Sequence, residues 1–161
     1  DKSIDDRYKK NSWFKLKKKP DILILEGWCV GARAEGSRSL NRPINVLEKN
    51  ADKKKIWRSY VNNQLKSKYS KLFDQLDSLL YLKAKNFKLL KRWRLKQEKK
   101  LKMKSGTKKN SKIMNEREVE TFMMTYQRIT QNMFKNAPKY SSAVIDLNEN
   151  HQIKKVKFKH A

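Results

Sequence analysis

The sequence predicts an α/β domain with a mostly parallel sheet, long helices and a C-terminal β-hairpin. Three observations carry this reading. Ile22-Leu23-Ile24-Leu25, Leu79-Leu80-Tyr81-Leu82 and Ala143-Val144-Ile145 are short apolar runs, the first with the look of a strand buried on both faces and the second strand-like as well. Between them lie longer segments whose apolar residues recur every three or four positions, the period of an amphipathic helix. Strand, helices, strand, helices, strand is the order of an α/β domain.

Residues 1–19 are polar and basic, with Trp13 and Phe14 as the only strong anchors, and are expected to form a loop with one helical turn. Pro20-Asp21 launches the first strand, and Gly27, Gly31 and Gly36 loosen the chain into a loop through about residue 42. Asn45-Val46-Leu47-Glu48 has capping-box spacing and predicts a short helix. Asp52 is placed to cap the next helix, whose stripe is Trp57, Val61, Leu65, Tyr69, Leu72 and Leu76, about five turns. After the second strand, residues 86 to about 103 return to helical character, with Phe87, Leu90, Trp93 and Leu101 apolar. "KSGTKKNSK" (104–112) has turn composition. Asn115-Glu116-Arg117-Glu118 is a second capping box, and Val119, Phe122, Met123, Tyr126, Ile129 and Met133 behind it form a stripe that reads as core. Pro138 is expected to end that helix. The third run and the alternating "QIKKVKF" then pair as a hairpin across Asn148-Glu149-Asn150.

Composition narrows the function classes. The 161 residues suffice for one domain. Lys+Arg number 41 against Asp+Glu 16, a net charge of +25, so polyanions are attracted non-specifically. Lysine supplies most of that excess, whereas base-specific readout leans on the arginine fork, so no specific nucleic-acid partner is expected. Cys29 is the single cysteine, which excludes an internal disulfide and a structural zinc site of cysteines and fits a reducing, cytoplasmic setting. No apolar run approaches the ~20 residues of a membrane span, and no secretory signal is seen at the head.

Chemistry in α/β sheets gathers at the C-terminal ends of strands, where Glu26-Gly27 follows the first run. Such a carboxylate either caps a neighbouring helix or serves as a hard oxygen ligand for Mg²⁺ and its waters. "DKSIDDR" offers Asp1, Asp5, Asp6 and Arg7, on its own a mixed-charge loop. Arg92 and Arg94 flank Trp93. Arg94 stands at helical spacing from Gln97 and Glu98, which reads either as a surface pair or as an arginine reaching a phosphoryl group. His151 and His160 have no partners at ligand spacing.

Taken in order, "DKSIDDR", "ILILEGW", "LNRPINVLEKN…IWRSYVNNQL", "FDQLDSLLYLKAKNF", "KRWRLKQE" and "AVIDLNENHQI" resemble the C-terminal part of P-loop kinases of the D-glycerate 3-kinase type, relatives of phosphoribulokinase, uridine kinase and pantothenate kinase. "LEGW" and "WRLKQE" are the most specific pieces. The resemblance covers nearly the whole chain and implies part of a three-layer P-loop kinase fold, residues 1–161 forming the C-terminal part of one domain with a lid region at about 86–112. It also implies transfer of the γ-phosphoryl group of ATP, with Mg²⁺, to a hydroxyl of D-glycerate or a similar small acceptor. By position, Asp1 falls near the acceptor hydroxyls and Arg7 at the substrate-side arginine. Glu26 falls at the acidic residue ending the Walker-B-like strand, near the metal. Arg94 falls at the phosphate-contacting lid position, and Arg92, nearly opposite on the helix, is the weaker lid candidate.

The departure from the family pattern is the phosphate loop. The glycines at 27, 31, 36 and 106 do not make G-x-x-x-x-G-K-[ST]. The chain, opening on Asp1, is therefore expected to be part of a longer kinase and inactive alone. Two alternatives stay open at this point: a lysine-rich protein that binds nucleic acid without catalysis, and a truncated, non-catalytic kinase homologue.

Overall fold

Why some of these segments become regular elements and one does not follows from which partners they find. The computed structural model describes residues 6–105 and 112–159. In order, the chain forms 3₁₀ turns at Lys10–Ser12 and Ser37–Asn41, then α1 (Val46–Ala51) and α2 (Ile56–Gln64), a π-helical stretch at Leu65–Tyr69 and α3 (Ser70–Phe73). Strand β1 (Leu80–Lys83), α4 (Phe87–Ser105), α5 (Glu116–Tyr140), β2 (Ala143–Leu147) and β3 (Ile153–Phe158) follow.

The helix starts are those the capping residues dictate. Asn45 Oδ1 accepts the Glu48 N–H at 2.9 Å, while Glu48 reaches back to the Ile44 N–H. Asp52 accepts from the N–H groups of both Trp57 and Arg58 at the head of α2. Asn115 and Glu118 close a full reciprocal box on α5. The five-turn stripe after Asp52 runs through α2, the π-helical stretch and α3 and stops at Phe73. Only Leu65 of that stripe is fully buried, and Trp57 and Tyr69 face solvent. Pro138 lies inside the last turn of α5, which continues two residues beyond it. The expected loop at 104–112 falls largely outside the described residues.

The sheet is mixed. β1 pairs β2 in parallel, Leu80 opposite Ala143, and β2 pairs β3 antiparallel, Ala143 opposite Phe158. The expectation of a mostly parallel sheet is corrected accordingly. The larger correction concerns Ile22–Leu25, which is not a strand. Leu23 is 85% exposed, and the run has no strand to exchange backbone hydrogen bonds with among the described residues. Apolar composition supplies only one side of a strand; the ladder needs a neighbour.

The core sits between α5 and one face of the sheet. Leu65, Tyr81, Met133, Ala137 and Val144 meet there with Ala32, the residue that brings the loop after Trp28 into the interior. That loop passes close to β1 at Gly31, where φ is +77°. A Cβ would lie 2.6 Å from a methyl carbon of Leu79. Only glycine fits both the backbone and the space.

Candidate functional site

An open cleft of about 460 Å³ forms where three distant segments meet: Trp28 from the loop after the apolar run, α4, and the β2–β3 hairpin tip. It is lined by Trp28, Leu90, Trp93, Arg94, Lys96, Gln97, Lys100 and His151.

Trp28 is fixed by α5. Its ring stacks on Tyr126 at 5.2 Å with 10° between planes and meets Phe122 at 6.5 Å. This anchors the Glu26-Gly27 segment two residues before it. Glu26 itself is exposed. Cys29 turns inward, and burial pushes its thiol up to about 11, so it stays protonated at neutral pH and is no nucleophile.

Arg94 is held at three points. Its Nη2 pairs with Glu98 Oε1 at 2.5 Å, its Nη1 donates to Gln97 Oε1 at 2.8 Å, and its guanidinium lies 5.1 Å over the Phe122 ring. Glu98 is itself buried and accepts the Met114 N–H through its other oxygen, tying α4 to the approach to α5. The pair read from spacing is therefore a buried anchor, where Coulomb attraction is less screened than on a surface. Arg94 Nε is buried and has no hydrogen-bond partner among the described residues.

Arg92 points elsewhere. Its Nη2 donates to Glu149 at 2.6 Å on the surface, and the adjacent Trp93 indole donates to the Glu149 carbonyl. The Arg92 hydrogen bond and charge hold the Glu149 carboxyl below its ordinary range. Next to it His151, at φ 65°, stacks on Trp93 at 4.2 Å between centroids. The hairpin tip that presents His151 is built by Asn148, whose Oδ1 accepts the N–H groups of Asn150 and Gln152. Spacing alone gave His151 no role; its place in the cleft comes from a hairpin contact 58 positions from Trp93.

The structure thus brings Arg94 together with Trp28 and leaves Arg92 and Glu26 outside the cleft lining. Arg7 is exposed, with its guanidinium 6.0 Å from the Trp13 ring centroid, and it does not line the cleft. Asp1 lies outside the described residues. Lys96, which lies within "WRLKQE" but was given no role there, and Lys100 are further cleft cations.

A cleft edged by Arg94, Lys96 and Lys100, with an unused Nε–H behind, suits an anion with several oxygens. For a metal the fit is thinner: among the described residues no three His, Cys, Asp or Glu side chains converge. Mg²⁺ in phosphoryl transfer takes one or two protein carboxylates and fills its other positions with water and phosphate oxygens. Glu26 is an exposed carboxylate outside the cleft lining.

Sequence reasoning missed a second constellation entirely. Arg128 of α5 forms a bidentate pair with Glu48 (2.8 and 2.6 Å), reaches Glu35 at 3.2 Å, and donates to the Ser39 and Arg42 carbonyls. Arg58 similarly binds Asp52 and the Leu40 carbonyl. Both arginines line a cavity of about 190 Å³ under α1 and α2. Their donors are turned onto carboxylates and loop carbonyls, which makes this a structural lock for residues 35–52.

No protein-family model matches the chain. A kinase of Schizosaccharomyces pombe, the uncharacterized kinase mug58, is 32% identical over 123 residues, 75% of this chain and 41% of that one. D-glycerate 3-kinase from Cryptococcus neoformans var. grubii superposes with a TM-score of 0.62 at 22% identity, over 89% of this chain and 52% of that chain. The YGR205w protein superposes with a TM-score of 0.53 at 21% identity, over 81% and 45%. The chain spans about two-fifths to one half of the length of these relatives. No helix among the described residues is long and apolar enough to cross a membrane. In fold this chain is similar to D-glycerate 3-kinase and in sequence to a kinase, in keeping with the resemblance its motifs carry.

Proposed function

We propose that this chain is the C-terminal part of a single-domain, cytoplasmic, ATP-dependent small-molecule kinase, transferring the γ-phosphoryl group to a hydroxyl of D-glycerate or a similar acceptor. The observation that carries the reading is the open cleft that Arg94 shares with Trp28, Lys96 and Lys100. In phosphoryl transfer the protein mostly positions groups and offsets charge on the transferring oxygens.

Each residue has a role in that scheme. Arg94, held in place by Glu98 and Gln97, neutralises negative charge on the phosphates. Its preset orientation means that little reorganisation is needed when charge develops. Lys96 and Lys100 add attraction for the polyphosphate from the same helix. Glu26 would hold Mg²⁺ through its waters, and the bound metal would supply positive charge against that of the phosphates. The helix bearing Arg94 belongs to a lid spanning about 86–112. Asp1 and Arg7 stand on the acceptor side, Arg7 suited to a substrate carboxylate. The phosphate-cradling loop comes from a part of the polypeptide outside residues 1–161.

The test is turnover of ATP with D-glycerate by the polypeptide made from its own gene. Glu26→Gln is expected to lower kcat at least a hundredfold with the fold retained, and Arg94→Ala to lower it more than Arg92→Ala. Unchanged turnover in Glu26→Gln removes that residue from the mechanism. A larger loss in Arg92→Ala overturns the lid assignment. Binding of RNA with no ATP turnover would favour the lysine-rich binding alternative.

A further inference from the structure

Between Asp52 and Asp74 the sequence holds no acidic residue and six lysines, 53, 54, 55, 66, 68 and 71, with Arg58 as the only other cation. Arg58 is turned inward onto Asp52, so the lysines carry the outward charge of this segment. None of the six is ion-paired among the described residues. They stand in two groups, three before α2 and three in the π-helical stretch and α3 behind it.

Between the two groups α2 shows an aromatic surface. Arg58 and Asn62 are buried, whereas Ile56, Trp57 and Tyr60 are 70%, 61% and 54% exposed. The Trp57 and Tyr60 rings stack, with 5.8 Å between centroids and 25° between planes. Trp57 also edges the cavity of Arg58 and Arg128, but Tyr60 does not line it. Lysines alone attract any polyanion. The open rings add a second requirement, because a ligand that covers them must offer flat, unpaired faces of its own. Base pairing hides such faces in a duplex, and lipid headgroups have none. A second copy of this chain is disfavoured, since the same six lysines would meet themselves.

We propose that the outer face of α2 and the stretch behind it bind single-stranded nucleic acid. Bases stack on Trp57 and Tyr60, and phosphates lie along the two lysine groups. The binding reads no sequence, because Arg58, the arginine of the segment, has its fork committed to Asp52 and the Leu40 carbonyl. None of these residues lines the Arg94 cleft, so the inference stands apart from the catalytic reading.

The experiment titrates the polypeptide made from its own gene into fluorescein-labelled oligouridylate, oligothymidylate and a duplex of matched length. Single strands are expected to bind at least tenfold tighter than the duplex near physiological salt, and the tighter of the two assigns the source as RNA or DNA. Lysine attraction without stacking favours the duplex, whose charge density is higher, so equal or tighter duplex binding overturns the proposal. Tyr60→Leu should weaken single-strand binding about tenfold and leave the duplex unchanged; an unaltered single-strand affinity overturns it. Replacing Lys66, Lys68 and Lys71 together by Gln should reduce the slope of log affinity on log salt by about two, and an unchanged slope overturns it. Should Tyr60→Leu fail to fold, photocrosslinking of a thiouridine-containing oligonucleotide to the unsubstituted protein takes its place. Adducts on Trp57 or Tyr60 are expected, and adducts confined to other segments overturn the proposal. Binding of anionic lipid vesicles with no binding of single strands also overturns it and assigns the face to a membrane surface.

Discussion

Replacing Arg128 with methionine keeps the aliphatic stem but removes five hydrogen bonds to four partners. Two carboxylates, Glu48 and Glu35, are left without their cation at side-chain exposures of 12% and 16%. Stranding a buried charge in this way costs about 3–5 kcal/mol. Both acids retain some access to water, so the low end, about 3 kcal/mol, is expected at pH 7. For a domain of this length that corresponds to a fall in Tm of roughly 6–12 °C. The pH dependence supplies a second signature. Burial pushes the Glu48 carboxyl up, but the Arg128 hydrogen bond, the Ile44 N–H and the charges of Arg128 and Arg58 outweigh it and hold it below its ordinary value. A depressed carboxylate contributes stability above its unfolded pKa, 4.5, and loses it as pH falls through the lower folded value. The deficit of Arg128→Met should therefore be full at pH 7 and shrink on acidification below about 4.5. Thermal and urea unfolding at pH 7, 5 and 4 measure it. A deficit under about 1 kcal/mol, or one flat with pH, would refute the lock.

Three further outcomes follow from local geometry. Gly31→Ala meets both a positive φ and the Leu79 methyls, so a loss of more than about 1 kcal/mol is expected in urea unfolding; neutrality would mean that the turn rearranges freely. Asn115→Ala removes the cap from α5 and should cost about 1 kcal/mol, while Asn115→Ser should recover most of it. Glu98→Gln keeps the volume but withdraws the charge from Arg94 and from the Met114 N–H, for a loss of about 1.5–3 kcal/mol; an unchanged urea midpoint would show that the anchor contributes nothing.

What the sequence disclosed follows the range of each interaction. Asn45, Asp52 and Asn115 act within a few positions, and all three cap as their spacing predicts. The α5 stripe and the hairpin are likewise local patterns, and they formed. Ile22–Leu25 shows the limit: its residues state a preference for a strand, but the hydrogen bonds that realise it belong to another segment. Arg128 is the opposite case. Its partners lie 80 to 93 positions away, and within α5 it is one polar residue beside Ile129, with no motif to mark it. The cleft was half legible. Arg94 was marked by motif resemblance, whereas Glu26, marked in the same way, does not line the cleft; His151 and the roles of the cleft lysines needed the hairpin and α4 to be placed first.

The arginines and lysines of this chain divide the electrostatic work, and that division bears on the site. Only 16 acids face 41 cations, yet Glu35, Glu48, Asp52 and Glu98 are committed to three arginines, 58, 94 and 128. Planar bidentate pairing makes arginine the residue for such buried anchors, and it leaves the exposed lysines as the unneutralised surplus. Arg58 and Arg128 turn their donors onto loop carbonyls and line a small interior cavity. Arg94 shares their carboxylate anchoring but lines an open cleft, keeps an unpartnered Nε–H and has Lys96 and Lys100 beside it. Its place in an open cleft is what separates Arg94 from Arg58 and Arg128, and it is the reason the proposed phosphate site is put in the cleft and not in the larger arginine network.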